Sequence, residues 1–330
     1  MPLYRIIRVY ETKEATMNDH PLEAVLSLYV DEIDVKESTK RSYEKLLYRY
    51  ILYLKRRKIR YATKKDIIRY REYMIEEGLS AQSIQKALGS IKAFYRWLSL
   101  EARFHGLDEV YRYDVAQDVK NVTIRKNYKR EPLSNEEAER LLRLAHERSN
   151  TPVGARNYAI IALMITTGVR NIEVLRAKKA DLSRLEGQEI LYVHGKMRDD
   201  TDAFVKLTLP VVDAINNYLS FRSDRNRHLF VRHDRDGNAR PLKANGMRKE
   251  IMRLFKHAGI DSPRKNVYSL RHTAAYLNLK HGGTLESTQQ LLRHVKIETT
   301  MIYAHNIRRL EDYSERRIAG VLFDKEALDE

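Results

Sequence analysis

The run Ala159-Ile-Ile-Ala-Leu-Met-Ile165 is the longest apolar stretch in the chain. Seven residues cannot cross a bilayer, where a helix needs about 20. Read with its flanks, Asn157 to Thr167, it predicts a helix apolar on every side and therefore the buried centre of a domain. Gly168 stops it, and Arg170 follows almost at once. A charged residue directly after a buried helix is held in place by the core. Glu173, three residues on, can pair with a guanidinium and fix its orientation.

Other helical patterns surround this one. From Pro21 to about Leu100 the apolar spacing is helical throughout, in four segments. Leu22, Val25, Leu26 and Tyr29 mark the first. The second starts at Ser38-Thr39, with Tyr43, Leu46, Leu47, Tyr50, Ile51 and Leu54, and ends in the basic run Lys55 to Lys58. Thr63 can cap the third, with Ile67, Ile68, Tyr70 and Met74 inside and Gly78 as its stop. Ser80 can cap the fourth, whose core face is Ile84, Leu88, Ile91, Phe94, Tyr95 and Leu98. Its other face offers Gln82, Ser83, Gln85, Lys86, Ser90 and Lys92, types that can enter a major groove, read base edges and neutralise phosphates. A solvated face is the competing reading for any one of them.

The organisation expected is an arm (1–20), a helical domain (21–105), a linker (106–130) that turns basic at Arg125 and Lys126, and a second domain with a tail (131–330). Ser134 and Glu137 form a capping box at the start of the second domain. Residues 188–209 read as two strands, Glu189–His194 and Ala203–Leu209, with Lys196 in the turn between them. His228–Phe230 reads as a short third strand, and later helices begin at Pro210, Lys243, Pro263 and Leu285. The fold class expected is mainly α with a small antiparallel sheet in the second domain.

The net charge is +16, spread as +9 over residues 1–130 and +7 over 131–330. A polyanion met by both halves fits this better than one basic arm does. There are no cysteines, which excludes disulfides, zinc–thiolate sites and thiol chemistry. The start lacks the apolar core of a signal peptide, so a cytoplasmic, DNA-associated protein is expected, without a membrane partner. No His-Glu-x-x-His, Asp-rich loop or Walker loop is present, and no metal or cofactor is expected.

The second domain thus carries Arg170, Lys196, Arg271, His294 and Tyr303 at element ends and turns. A phenol, with an ordinary pKa near 10, becomes a useful nucleophile only beside cations. Two guanidiniums can hold the nonbridging oxygens of a phosphodiester and stabilise the charge of a phosphorane. A lysine can protonate a leaving alkoxide, and an imidazole can bond the phosphate or manage the phenol proton.

In ordered motifs the chain resembles the tyrosine recombinases of the phage-integrase and Xer type. The segments are Thr166-Thr-Gly-Val-Arg-Asn-Ile-Glu-Val-Leu175, the hairpin with Lys196, Tyr268-Ser-Leu-Arg-His-Thr-Ala-Ala275, Leu291-Leu-Arg-His294 and Thr299-Thr-Met-Ile-Tyr303. Gly78-Leu-Ser-Ala-Gln-Ser83 and Phe94-Tyr-Arg-Trp97 resemble the family's core-binding domain. The resemblance implies a C-shaped two-domain DNA clamp in which Arg170 and Arg271 hold the phosphate and Lys196 is the general acid. It makes His294 the second active-site histidine, Glu173 the acidic residue behind the first arginine, and Tyr303 the nucleophile that forms a 3′-phosphotyrosine. It also implies double-stranded DNA as partner and a homotetramer on two sites, with the free chain a monomer or weak oligomer. Two positions depart from the pattern. Tyr268 replaces the usual histidine or lysine, and Arg293 replaces the usual glycine. Departures of this kind resemble integrases of archaeal viruses and plasmids. The competing functions are a type IB-like topoisomerase and a DNA-binding regulator with weakened catalysis.

Overall fold

The structure is a computed structural model, and it describes residues 20–123, 131–195, 203–234, 239–301 and 314–323. The chain divides into two compact units, within 1–127 and 128–330. Lys196, Tyr303, Arg125 and Lys126 lie outside the described residues.

The first unit is built on four helices, α1 (Pro21–Glu32), α2 (Glu37–Arg56), α3 (Lys64–Glu76) and α4 (Ala81–Glu101). Each buries the stripe its spacing sets: Leu22, Val25 and Tyr29 from α1, Leu47, Tyr50 and Leu54 from α2, Ile67 and Met74 from α3, Leu88, Ile91 and Phe94 from α4. Local chemistry sets the ends. Thr63 and Asp66 form a capping box on α3. His20 caps α1: its Nε2 bonds the Ile59 carbonyl at 2.8 Å and its Nδ1 accepts from Leu22 N at 3.2 Å. A carbonyl can only accept, so the neutral ring carries its proton on Nε2. Burial lowers the pKa of this ring and keeps it neutral.

Residues 106–123 are not a linker. They hold a short helix, α5 (Asp108–Tyr111), and insert Tyr111, Ala116 and Val119 into the core of the first unit. The Tyr111 hydroxyl accepts from Ala62 N at 3.1 Å, and Arg71 and Gln85 donate to the carbonyls of Lys120 and Val122.

The second unit is arranged around α7 (Pro152–Thr167), the apolar helix of the sequence, capped by Thr151 and closed by Gly168. Helix α6 (Asn135–Glu147) packs on it and starts at the Ser134–Glu137 capping box. So do α9 (Leu209–Ser220), α10 (Ala244–His257) and α11 (Val267–Lys280). Between α7 and α9 come the short α8 (Asn171–Arg176) and an antiparallel sheet of β1 (Leu182–Leu185), β2 (Gln188–Val193) and β3 (Ala203–Lys206). The register sets Leu182 opposite Leu191 and Ile190 opposite Lys206. Strand β1 has no counterpart in the sequence reading. Its turn, Glu186-Gly187, has both residues at positive φ (48° and 80°), as a tight two-residue hairpin loop requires.

The third strand expected at 228–230 lies slightly later. β4 (Val231–His233) pairs with β5 (Ala239–Pro241), while Leu229 and Phe230 are fully buried. Two further helices are α12 (Leu285–Leu292) and α13 (Ser314–Leu322). No described helix is long and apolar enough to cross a membrane.

Removing the Tyr111 hydroxyl (Tyr111→Phe) strands the buried Ala62 N–H and is expected to cost about 1–3 kcal/mol. Urea unfolding of the full chain measures it. A true linker residue would give no change.

Candidate active site

Three chain segments meet at the C-terminal ends of α7 and α12. Helix α7 stops because Gly168 is left-handed (φ 61°). A Cβ there would stand 2.5 Å from Leu292 Cδ2, so the position needs both the conformation and the absent side chain. The chain then turns through buried Val169 and starts α8 with Arg170 as N-cap residue.

Glu173 on α8 is 2 % exposed. It accepts the Arg170 backbone N–H on Oε2 and the Arg170 Nη1 on Oε1, both at 2.8 Å. Burial alone would push its carboxyl up. The Arg293 guanidinium, the Arg170 N–H and the Arg170 guanidinium outweigh burial and hold it below the usual carboxylate range.

Arg271 on α11 is 1 % exposed. Its guanidinium lies between the two helix ends, with Nη1 donating to Gly168 O and Nη2 to Leu292 O at 2.6 Å. Both acceptors lie where a helix concentrates partial negative charge. Burial, then the nearby Arg170, lowers its pKa to about 10, which leaves it charged at neutral pH. Its Nε is buried without a hydrogen-bond partner among the described residues.

After α12 the chain passes through Arg293, left-handed at φ 53° and ψ 48°. An arginine in this conformation costs about 1–2 kcal/mol against glycine. Its Nη2 donates to Glu173 Oε2 at 2.7 Å, and its carbonyl accepts from Arg170 Nη2 at 3.4 Å. His294 comes next, tied to α12 by its N–H to Gln289 O (3.1 Å) and by Gln289 Nε2 to its own carbonyl (3.0 Å). His294 Nδ1 shares a 2.8 Å hydrogen bond with Thr300 Oγ1, within the helical stretch that begins at residue 298. Burial lowers the ring's pKa to about 4, helped by Arg271, Arg170 and Arg293 and by His272, so the ring is neutral at pH 7.

The structure therefore brings together Arg170, Glu173, Arg271 and His294. Half-buried Tyr268 is on α11 one turn before Arg271, its ring edge-on to His272 at 4.9 Å between centroids. Strand β2 ends at an anchored point just before Lys196. His194 Nε2 bonds Asp181 Oδ2 at 2.8 Å, and Arg176 Nη1 donates to Gly195 O at 2.8 Å. Sequence reasoning missed this anchor, as it did His272 and the partner role of Thr300.

The expected reading face of α4 is narrower than its sequence suggests. Gln82, Ser83 and Lys86 are exposed, and Lys92 is half-buried. Ser90 is 1 % exposed and donates to the Ala87 carbonyl at 2.8 Å, so it does not belong to that face. Gln85 is half-buried and spends its amide on Val122 O at 3.0 Å.

A helical unit carrying a polar exposed stripe, and a second unit that gathers guanidiniums and an imidazole, have the chemistry of a protein that handles nucleic-acid phosphates. The sequence pattern of the phage integrase family matches residues 131–309, and that of the phage integrase N-terminal SAM-like domain matches residues 28–102. The chain belongs to the phage integrase family: it is a tyrosine-type site-specific recombinase, which cleaves and religates DNA. It is 28 % identical over 300 residues to the tyrosine recombinase XerD of Halalkalibacterium halodurans, covering 88 % of this chain and 94 % of the relative. It is 25 % identical over 308 residues to XerD of Listeria monocytogenes, covering 90 % and 97 %. In fold it is similar to lambda integrase (75–356), solved as a dimer bound to a COC′ core site, with a TM-score of 0.62, 17 % identity, and 84 % and 96 % of the two chains covered.

Two outcomes follow from this geometry. Gly168→Ala forces a left-handed alanine against Leu292 and is expected to destabilise the chain by at least about 2 kcal/mol, read as a lowered thermal midpoint. Acid is expected to destabilise the free chain through His294. Its folded pKa, about 4, lies below the ordinary 6.5, so the unfolded state binds the proton first. The stability is complete above about pH 6.5 and is lost as pH falls from there toward 4. Burial lowers His20, His228 and His233 as well, and they act in the same direction. His294→Gln should flatten the fall of thermal midpoint with acid without abolishing it; an unchanged slope would contradict the assignment.

Proposed function

We propose that Arg170 and Arg271 bind the scissile phosphate of duplex DNA and that Tyr303 attacks it. The Tyr303 hydroxyl gives up its proton to solvent and its oxygen bonds to phosphorus as the bond to the 5′-oxygen breaks, leaving a 3′-phosphotyrosine and a free 5′-hydroxyl. Lys196 supplies the proton that the departing oxygen takes. Neutral His294 hydrogen-bonds the phosphate, and Tyr268 donates a further hydrogen bond without adding charge. Reversal of the same step by another strand's 5′-hydroxyl rejoins DNA, with the bond energy conserved in the ester. Exchange needs two DNA sites and four copies of the chain, and both basic units contact the duplex.

The observation that carries this reading is the Arg271 guanidinium, buried between the ends of α7 and α12 with its Nε lacking a partner among the described residues. Arg170 is bonded to Glu173, which also holds Arg293, the residue next to the Leu292 whose carbonyl accepts from Arg271. Three guanidiniums around one carboxylate leave a net positive pocket, the complement of a phosphodiester. His294 then fixes the chain nine residues before Tyr303.

Incubation of the full chain, in chelator, with nicked duplexes selected from a random pool by binding tests the chemistry. Wild type is expected to form a covalent protein–DNA adduct on a denaturing gel, and Tyr303→Phe none. An equal adduct from Tyr303→Phe would remove the tyrosine from its role. On α4, Lys86→Ala is expected to weaken binding evenly across sequences and reduce the salt slope by about 1, whereas Gln82→Ala alters preference at a base. A Lys86→Ala protein with an unchanged salt slope would take that lysine off the DNA.

A further inference from the structure

Arg293 occupies a backbone conformation that glycine adopts freely and arginine does not. Its contribution must therefore lie in its guanidinium, whose side chain is only 15 % exposed. Nη2 donates to Glu173 Oε2 at 2.7 Å and Nη1 to Leu291 O at 3.1 Å. The same Oε2 also accepts the Arg170 backbone N–H at 2.8 Å. Oε1 accepts Arg170 Nη1.

A carboxylate beside a guanidinium favours a two-pronged pairing, with both oxygens on one fork. That pairing does not form between Glu173 and Arg170. Oε2 is held twice over by other donors, and Arg170 Nη2 turns to the Arg293 carbonyl at 3.4 Å. Arg170 is thus gripped by Glu173 through a single guanidinium nitrogen, and its side chain remains 33 % exposed.

We propose that Arg293 is a positioning residue of the phosphate site: by occupying Glu173 Oε2 it keeps Arg170 bonded to Glu173 through one nitrogen, with only the long Nη2 contact to the Arg293 carbonyl beside it, and leaves the outer face of that guanidinium for a phosphate oxygen. It acts through Glu173 and Arg170 and does not itself touch the phosphate. Its charge has a second effect. Without it, Glu173 would cancel Arg170; with it, the pair of arginines flanking Glu173 keeps a net positive charge. The inference rests on the phosphate-binding role proposed above for Arg170.

Arg293→Gly is the discriminating variant, because it relieves the backbone and removes the guanidinium together. Its thermal midpoint is expected at or above that of wild type. Binding to the selected duplex should stay within about threefold, as one screened charge is lost. The single-turnover rate of adduct formation should fall about tenfold or more, since a misplaced positioning group costs rate rather than affinity. Arg293→Lys keeps a cation within reach of Oε2 and should recover much of the rate. On a duplex with a neutral methylphosphonate at the scissile position, the Arg170 contact is already weakened, so the penalty of Arg293→Gly should shrink. Wild-type rate in Arg293→Gly, or a loss equal on both substrates, overturns the inference while leaving the phosphate site standing. Failure of wild type itself to form an adduct on DNA it binds tightly overturns the underlying reading and this inference with it.

Discussion

The hydrogen bonds from Arg271 to the carbonyls of Gly168 and Leu292 hold the second unit's chemistry in place. A guanidinium taken out of water loses several kcal/mol of hydration. Here two helix C-termini offset that loss, because their last carbonyls have no partner within their own helices. The bargain is mutual. Without Arg271, both carbonyls would be left unsatisfied in a buried place. By joining them, the guanidinium fixes the end of α7, which sets Arg170, to the end of α12, which sets His294. The apolar bulk of α7 is what makes the arrangement rigid, since a helix packed on all sides delivers its last carbonyl to a fixed point.

Much of this was legible in the sequence because it is local. The apolar run of α7, its stop at Gly168, and the Ser134–Glu137 box are decided within a few residues. The parts that were not legible depend on distant partners. Tyr111, Ala116 and Val119 follow no helical period and are interleaved with charges, so 106–123 reads as a linker. Burial there comes from hydrogen bonds to α3, α4 and Ala62. Ser90 reads as polar surface, yet its hydroxyl satisfies itself on the Ala87 carbonyl one turn back, and the residue then fits among Ala87, Ile91 and Phe94. A two-residue turn whose first residue is Glu186 at positive φ carries only half of the usual hairpin signal, and β1 went unseen. The Arg293 pairing was beyond reach, because it needs a left-handed backbone and a carboxylate 120 residues away.

The same cations perform two tasks that appear opposed. Arg170, Arg271 and Arg293 gather positive charge that would suit an anion, and together with burial they keep His294 uncharged. A protonated imidazole would add one more cation to a pocket already short of counter-charge. Neutral, it holds its Thr300 bond.

Strain and unsatisfied donors gather at one place among the described residues. A left-handed arginine, a buried Arg271 Nε without a partner among the described residues, and three guanidiniums around one carboxylate all raise the energy of the empty state. On the proposed reading a phosphate would supply the partner that the Arg271 Nε lacks and the counter-charge that the guanidiniums lack, and a phosphorane, which carries more charge than the diester, would do so more strongly; the strain at Arg293 would stay. Interactions that strengthen as charge develops lower the barrier instead of merely tightening binding. On that reading the energy stored in the empty pocket would be recovered in the transition state, and the buried core around α7 is what lets the fold bear it.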